Sequence, residues 1–519
     1  MIINKSKYVR QIESINKWIA NGYNGALELT MQFGKTLIGA IATEIFRKEN
    51  KDVIIIVPSE AIYRQWKLRF AEYAEYLDDN LTIISKDYIE GKEVRLFTSH
   101  EIINNKTRLD TDLLIIDELH KFTSDERLKI LDGTFVKYSN ILALTGTYPR
   151  DKKVFSIISN LCPIVDTITE KEAIDRGWIS DFIEYNLAVN LSDTDKVKYE
   201  KFSEPIKETL ELFKTTDKLF VDGQNNPIFN SSFDVITGCL YGKNTKYGRI
   251  DADALRRLLA RKQGWSSDLD MNIEYNAQRD LYWNPNNIYD RVKKFMNQVR
   301  NRHEILINNV PKMKQVIEIF NKYTEPTICF NESTSFADRL CDEINSLFNT
   351  EKQENWLKDI ATVYHSKAKR VLIDSETGNP ITYKGGSRKG QIKIFGEASI
   401  KADAIAGMAS GRYYFISTVK SLSEGFSLPK LSQVITTGGD TNPTRYKQQN
   451  GRGKTLDFFN PEKVTRIINI YIDDFDSLIT KDKNELPIRI MSRDKSKLIA
   501  RQSDSKHTII WVNSVDEIS

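Results

Sequence analysis

The stretch ALELTMQFGKTLIG, residues 26–39, determines the kind of fold that the chain can adopt. A short apolar run ends at a turn, and a second apolar pattern with helical spacing follows it. In such a strand, turn and helix, backbone N–H groups and the positive end of the helix dipole surround one point and favour a bound phosphate. Lys35 would reach the terminal phosphates of a nucleotide, and Thr36 would ligate magnesium. The stretch therefore predicts a nucleotide site at Gly34, Lys35 and Thr36.

The phosphate-binding pattern in this stretch is incomplete. The full P-loop pattern opens with a glycine where this chain has Leu29, and it contains an inner glycine where this chain has Gln32. A GKT triplet is also compatible with an ordinary helix N-terminus in an α/β domain. Other parts of the chain must therefore decide between these two interpretations.

Length and charge limit the possible classes of protein. A chain of 519 residues is too long for one core, and the usual domain size predicts about three to four units. Lys plus Arg number 75 and Asp plus Glu number 71, so no overall field favours a nucleic-acid partner. The four cysteines show no CxxC spacing, which predicts reduced thiols rather than a zinc site or disulfides. No segment reaches the ~18 apolar residues that span a bilayer, so we expect a cytoplasmic protein with no membrane partner.

Two series of short apolar runs predict two parallel sheets. Continuous apolar runs separated by helical or polar segments are typical of strands that are buried on both faces. The first series is 52–58, 82–85, 95–99, 112–117 and 140–147. The second series is 326–331, 362–366, 412–418, 432–439 and 465–473. Ligands of such sheets bind beyond the carboxyl ends of the strands, so the polar residues that follow these runs are expected to converge.

The segment between the two series, about 190–315, has a mainly helical pattern. In its last helix, apolar residues at helical spacing predict a core stripe, and basic residues occupy the other faces. Those basic residues form either a solvated face or a nucleic-acid-binding arm that includes Arg256 and Arg257. The last 40 or so residues are expected to form a small appendage. The predicted domains are 1–185, 186–315, 316–480 and 481–519.

Two adjacent carboxylates, Asp117 and Glu118, end the apolar run at 112–117. Their burial together is costly unless a cation is present, and a magnesium nucleotide would supply one. Asp117 would hold the magnesium through water, and Glu118 would orient and deprotonate the attacking water. Alternatively, the pair only caps the helix that follows.

Eight segments occur in the order that is typical of superfamily 2 helicases and translocases, which this chain resembles. The segments are ELTMQFGKT (28–36), VPSEAIYRQW (57–66), TSHEI (98–102), DELH (117–120), LTGTYPR (144–150), FNESTSF (330–336), STVKSLSEGFSLP (417–429) and QQNGRGKT (448–455). The resemblance is DEAD/DEAH-like, and is similar in character to phage recombination helicases and restriction-type motor subunits. It implies an α/β fold with two tandem recombinase-type (P-loop) parallel-sheet domains and a mainly helical insertion between them.

The resemblance also implies ATP and Mg²⁺ as cofactors, and it assigns roles to individual residues. ATP binding falls to Gln11, Gly34, Lys35, Thr36, Glu424 and Gly425. It assigns magnesium binding to Thr36 and Asp117. It assigns catalysis to Glu118, Gln448 and Arg452, with Arg452 as an arginine finger. Coupling to the nucleic-acid strand falls to Thr98, Ser99, Thr145, Thr147, His365 and Thr418. Thr455 stands where the family has a second arginine, and Lys454 or Arg445 are the alternatives to that arginine.

The resulting hypothesis is an ATP-dependent DNA helicase or translocase that acts in recombination, repair or replication. Its expected partner is single-stranded, duplex or branched DNA, in the cytoplasm of a bacterium or of a phage-infected host cell. RNA is the alternative nucleic acid. A different class of hypothesis is the motor subunit of a restriction or defence complex, which would act through protein partners. A degenerate ATP-binding scaffold is disfavoured because Lys35, Glu118 and Arg452 are all present.

Overall fold

The chain folds into two compact units. The computed structural model describes residues 4–77, 83–85, 94–150, 152–245, 248–264, 283–348, 359–368, 370–371, 379–419, 428–439, 441–457, 459–474, 476–481, 487–503, 505 and 507–519. The first unit combines Met1–Val189 with Lys312–Ser519, and the second is Asn190–Pro311. None of the described helices is both long enough and apolar enough to cross a membrane.

The amino-terminal part of the first unit is a seven-stranded sheet in which every pair of neighbours is parallel. The strands are β1 Asn24–Leu29, β2 Val53–Val57, β3 Ile83–Ser85, β4 Val94–Thr98, β5 Leu109–Asp117, β6 Val136–Thr145 and β7 Ile164–Ile168. Their order across the sheet is β3-β4-β2-β5-β6-β1-β7. The helices are α1 Lys5–Ala20, α2 Lys35–Lys48, α3 Glu60–Leu77, α4 Ser99–Asn105, α5 Asp125–Leu131, α6 Lys152–Leu161 and α7 Glu170–Asp175.

Burial on both faces explains the apolar runs of this sheet. In β2, Val53, Ile55 and Val57 belong to the core on the side of α2 and α3. Ile54 and Ile56, which alternate with them, belong to the core on the opposite face. Because successive side chains point to opposite faces of a sheet, a strand covered on both sides must be apolar throughout. All five runs of the first predicted series form strands of this sheet, as expected.

The first helix is fastened to the edge strand by a buried carboxylate. Asp166 of β7 accepts hydrogen bonds from Arg10 Nη1 at 2.6 Å, Lys17 Nζ at 2.6 Å and Ser14 Oγ at 2.8 Å. Burial raises the pKa of Asp166, but these three donors outweigh it and lower the pKa to about 2. The network therefore holds α1, which carries Gln11, against the sheet.

The second unit is mainly helical, as predicted for the insertion. Strand β8, Asp181–Val189, precedes it in the chain. Its helices are α8 Asp193–Leu212, α9 Ser232–Tyr241, α10 Ala252–Lys262 and α11 Pro285–Ile307, with one antiparallel pair, β9 Lys243–Thr245 and β10 Gly248–Ile250. Ile288, Val292 and Phe295 of α11 lie in its core, and Val299 packs against that core. The stripe predicted from their helical spacing is confirmed.

A second seven-stranded, all-parallel sheet completes the first unit. After α12 Val310–Tyr323 come β11 Thr327–Asn331, α13 Thr334–Phe348, β12 Ala361–Tyr364, β13 Arg370–Val371, β14 Ile394–Phe395, α14 Glu397–Ser410, β15 Phe415–Val419, β16 Gln433–Thr436, α15 Pro443–Asn450, β17 Val464–Ile472, β18 Asp476–Lys481, β19 Pro487–Ser492, α16 Arg493–Arg501 and β20 Ile509–Val512. The order across the sheet is β12-β15-β11-β16-β17-β8-β20. The predicted second series and the predicted α/β class with two parallel sheets are confirmed. Short 3₁₀ turns lie at Leu119–Lys121, Thr216–Leu219, Gly386–Arg388 and Val515–Glu517.

Two segments outside the predicted second domain also belong to this sheet. Strand β8 pairs with β17 along its whole length, although it crosses the predicted boundary at residue 185. Strand β20, within the predicted appendage 481–519, pairs with β8 at the sheet edge. Apolar patterning identifies a strand but not its partners, because pairing is made through backbone hydrogen bonds. The three boundaries between the four predicted domains remain predictions.

Candidate active site

The loop between β1 and α2 has an unusual backbone. Gly34 precedes α2 with φ of 97°, and Gln32 has φ of 62°, a left-handed conformation that non-glycine residues seldom adopt. Two side chains of α1 hold this loop: Lys7 Nζ donates to Gln32 O at 2.7 Å, and Gln11 Nε2 donates to Phe33 O at 2.7 Å. Burial lowers the pKa of Lys7 to about 8. The loop is therefore shaped by α1 without the glycine that the full pattern has at position 32.

An ion pair joins this loop to the carboxylate pair at the end of β5. Lys35 Nζ lies 2.6 Å from Glu118 Oε1, and the two side chains are only 11% and 12% exposed. Burial raises the pKa of Glu118, but Lys35 and His120 outweigh it and the net pKa is lowered. Burial, followed by the charge of Glu118, raises the pKa of Asp117. The site thus contains one ammonium group, from Lys35, and two carboxylates, from Asp117 and Glu118.

The Asp117 carboxylate is fixed by two hydrogen bonds. Trp66 Nε1 donates to Oδ2 at 2.7 Å, and the Glu118 backbone N–H donates to Oδ1 at 2.9 Å. Glu118 itself has a left-handed backbone with φ of 54°, which turns the chain sharply after the buried strand. Asp117 and Glu118 consequently face the same cleft as Lys35.

The donor set of this cleft fits a magnesium nucleotide. Glu118 Oε2 is buried without a hydrogen-bond partner, and His120 Nδ1 lies 3.3 Å from it. A buried, unsatisfied carboxylate oxygen is costly unless a ligand or water reaches it. The Asp117 carboxylate and the Thr36 hydroxyl provide the hard oxygen ligands that Mg²⁺ prefers. The interpretation of Asp117 and Glu118 as a mere helix cap is not supported, because Glu118 accepts no cap hydrogen bond at the turn that follows.

Helix α15 and the turn after it contribute residues to the same cleft, whose space, open to solvent, measures about 680 Å³. The lining residues are Met31, Gln32, Gly34, Lys35, Thr36, Ile62, Gln65, Asp117, Glu118, Gln448, Gly451 and Arg452. Gln448 Nε2 lies 3.3 Å from His120 Nε2, and His120 Nδ1 lies 3.2 Å from Thr145 Oγ1. Thr145 Oγ1 in turn donates to Thr147 O at 2.7 Å. His120 therefore contacts the carboxylate pair, the end of β6 and helix α15 of the second sheet domain.

Among the three cationic residues considered for the finger role, the structure brings Arg452 into the cleft. Arg445, near the start of α15, lines a different, smaller depression together with Asn442 and Arg501. Lys454 is buried, forms an ion pair with Glu170, and lies 3.6 Å above the Phe182 ring. In this structure neither alternative faces Lys35 and Glu118.

The family comparison agrees with this geometry. Residues 5–150 match the family model described as "Type III restriction enzyme, res subunit". The match includes α1, the loop before α2 and the carboxylate pair. The two all-parallel sheets follow one another along the chain, as the eight segments predict. Over residues 5–150 the chain is therefore similar to this family of restriction-enzyme subunits.

The solved structures to which the chain is similar are only distantly related to it in sequence. The helicase domain of Hef from Pyrococcus furiosus is 13% identical, with 91% of this chain and 95% of that chain covered and a TM-score of 0.46. Dbp5 from S. cerevisiae, solved with RNA and ADP BeF3, is 12% identical, with 98% and 90% covered and a TM-score of 0.47. No curated protein matches the chain.

The residues to which the resemblance assigns strand coupling lie near strand ends but do not line the cleft. Thr98 caps α4 and accepts from the Glu101 N–H at 3.2 Å, and the neighbouring Ser99 is buried. His365 Nε2 lies 2.8 Å from Asp338 Oδ1, and Thr418 Oγ1 donates to Tyr364 O at 2.8 Å. Their roles remain predictions. Glu424 and Gly425 lie outside the described residues.

Two site residues were not assigned from the sequence, namely Trp66 and His120. Trp66 lies one helical turn after Ile62 in α3, and that spacing places both on the same side of the helix as the cleft and core. The DELH segment contains His120, but a histidine after two carboxylates does not reveal which atoms it contacts. The resemblance could have drawn attention to both segments, although not to the hydrogen bonds that they make.

The basic residues of the helical unit are partly committed to contacts within it. Arg256 Nη1 donates to Cys239 O at 2.8 Å, and Arg256 also pairs with Asp253 and lies 5.0 Å above the Tyr289 ring. Arg257 pairs with Asp253 at 2.7 Å but is largely exposed. Arg256 therefore stabilises the helical unit, and Arg257 is the better probe of a nucleic-acid arm.

Proposed function

We propose that the chain is an ATP-dependent DNA helicase or translocase that acts in recombination, repair or replication. The observation that carries the proposal is the cleft itself. Lys35, Thr36, Asp117 and Glu118 from the first sheet face Gln448 and Arg452, which follow β16 of the second sheet. Such a cleft makes phosphoryl transfer depend on the approach of two domains, which is how a motor couples hydrolysis to movement.

Each residue has a role that its contacts support. Lys35 would leave Glu118 for the terminal phosphates, and the freed Glu118 would orient the attacking water and accept its proton. Thr36 and Asp117 are the residues that would hold Mg²⁺, which when bound neutralises charge on the phosphates. Arg452 would stabilise the charge that spreads over the transferred phosphoryl group.

His120 offers a physical connection between hydrolysis and strand coupling. Its ring lies between Glu118, Thr145 and Gln448, so displacement of any one of these residues alters the contacts of the others. Thr145 is the last residue of β6, and Thr147 lies two residues beyond it, in the segment that the resemblance assigns to the nucleic-acid strand. We infer that a change at the phosphates reaches the bound strand through this histidine.

DNA is favoured over RNA by the DELH segment, by the EGFSLP segment and by the family match to a restriction-enzyme subunit. The test is steady-state ATP hydrolysis titrated with single-stranded DNA, duplex DNA, forked DNA and RNA of the same sequence. We expect DNA to stimulate hydrolysis and Lys35→Ala to remove the stimulated rate. Stimulation by RNA alone would contradict the proposed substrate, and a lack of hydrolysis under every condition would contradict the motor itself.

The second candidate function is the motor subunit of a restriction or defence complex. The description of the matching family is the specific observation in its favour. Such a subunit would translocate along duplex DNA without separating its strands. Displacement of a third strand from duplex DNA, measured together with unwinding of a fork, distinguishes the two: displacement without unwinding supports the restriction-type motor.

A further inference from the structure

A buried indole N–H needs a hydrogen-bond acceptor. Two buried tryptophans of this chain, Trp18 and Trp66, donate to acceptors of different kinds. Trp18 Nε1 donates to a backbone carbonyl, Ile141 O, at 2.9 Å. Trp66 Nε1 donates instead to a side-chain carboxylate, Asp117 Oδ2, at 2.7 Å. Both indoles are fully buried, so both hydrogen bonds satisfy a group that would otherwise be costly. The Trp66 bond has a charged acceptor at the cleft, which suggests a role beyond packing.

Two features of the surrounding core hold the Trp66 ring in place. The ring stacks on Phe70 one turn along α3, with centroids 5.5 Å apart and planes at 29°. Gly39 of α2 lies against the edge of the ring, and a Cβ added there would overlap it. Gly39 is one turn beyond Lys35 on the same helix, so the helix that presents the phosphate-binding lysine also leaves the space that the indole fills.

We propose that Trp66 is a positioning residue that sets the orientation of the Asp117 carboxylate for the magnesium nucleotide, an inference that rests on the proposed function. The two Asp117 oxygens each accept one fixed donor, Trp66 Nε1 and the Glu118 N–H. Rotation of the carboxylate would break both bonds, so the remaining lone pairs keep one direction toward the cleft. Groups that orient a metal ligand in this way typically contribute about 10- to 100-fold to metal affinity.

The first test measures metal binding directly. Mn²⁺ is the probe, ADP is saturating, and free Mn²⁺ is followed by electron paramagnetic resonance. We expect Trp66→Phe, which keeps an aromatic ring beside Phe70 but removes the N–H donor, to weaken Mn²⁺ binding by about 10- to 100-fold. Trp18→Phe is the matched control, because it also removes one buried indole hydrogen bond from the same sheet domain. Its Mn²⁺ affinity should stay within about twofold of the wild type, since its acceptor is a backbone carbonyl remote from the cleft residues.

The second measurement separates positioning from general damage to the site. ADP affinity in EDTA depends on the loop and Lys35, neither of which touches the Trp66 N–H, so Trp66→Phe should leave it unchanged. Gly39→Ala provides an independent variant, because its methyl group displaces the ring without altering Trp66 itself. We expect the same loss of Mn²⁺ affinity for Gly39→Ala, which also covers the case in which Trp66→Phe does not fold.

Several results would overturn the proposal. Wild-type Mn²⁺ affinity in a folded Trp66→Phe protein, or in Gly39→Ala if Trp66→Phe does not fold, refutes the positioning role while leaving the proposed motor intact. Two other results would show that Trp66 is only a packing residue. Either Trp66→Phe weakens ADP binding in EDTA as much as it weakens Mn²⁺ binding, or Trp18→Phe weakens Mn²⁺ binding as much as Trp66→Phe does. If the wild-type protein with ADP binds no Mn²⁺, both the positioning role and the proposed nucleotide chemistry are wrong.

Discussion

Replacement of Glu118 by Gln should have opposite effects on nucleotide binding and on hydrolysis. The Lys35 Nζ to Glu118 Oε1 distance is 2.6 Å, and both side chains are largely buried. At an effective dielectric constant of about 20, that separation corresponds to about 6 kcal/mol of attraction before desolvation is subtracted. Desolvation offsets most of it. A phosphate group must nevertheless draw Lys35 away from this carboxylate.

If about a quarter of that attraction survives desolvation, release of Lys35 in Glu118→Gln should tighten ADP binding by about tenfold, since ~1.4 kcal/mol corresponds to a factor of ten. Hydrolysis should fall by about a hundredfold or more, because the variant cannot accept the proton from water. The two effects together distinguish a catalytic base from a residue that only holds the fold.

Binding is best measured with a fluorescent ADP analogue in EDTA, so that a change in metal affinity does not mask the release of Lys35. Hydrolysis is measured in a single turnover with Mg²⁺ and the DNA that activates the wild type. Glu126→Gln is the control, because Glu126 is an exposed carboxylate of the same domain that also pairs with a lysine. Weaker ADP binding by Glu118→Gln, or a single-turnover rate within about threefold of the wild type, would refute the reasoning.

Three further predictions concern the second sheet, the first helix and the phosphate loop. Arg452→Ala should lower single-turnover hydrolysis by about a thousandfold or more, whereas Arg445→Ala should have little effect because that side chain lines another cavity; equal losses would contradict the finger assignment. Asp166→Asn should lower the free energy of unfolding by about 2 kcal/mol at pH 7, from the difference between its ordinary and folded pKa. Because the folded pKa is depressed from 3.8 to about 2, this difference should be complete above about pH 5 and should vanish only as the pH falls below about 2, as urea unfolding at several pH values can check. Gln32→Gly should be more stable to urea than Gln32→Ala by about 1 kcal/mol, since only glycine adopts the left-handed backbone without strain; equal stabilities would show that position 32 is unstrained.

The linear order of residues is enough to establish the architecture. Continuous apolar runs such as those of β2 and β5 require cover on both faces, and that requirement leads directly to parallel sheets with helices on either side. The turn at Gly34 and the carboxylates at the end of β5 mark where the first sheet domain borders the cleft, because ligands bind where parallel strands end. Local signals therefore suffice to predict that Lys35, Thr36, Asp117 and Glu118 line one cleft.

Packing between distant segments decides the rest. Arg445, Arg452 and Lys454 lie within ten residues, yet one faces the cleft, one lines a separate cavity and one pairs with Glu170. No periodicity encodes that difference, since it depends on where α15 ends and on which first-sheet residues it meets. In the same way, the Trp66 indole reaches Asp117 only because Gly39 leaves room for it. Side-chain contacts across the cleft depend on backbone placement accurate to about an ångström, and sequence patterns fix only the face on which a side chain lies.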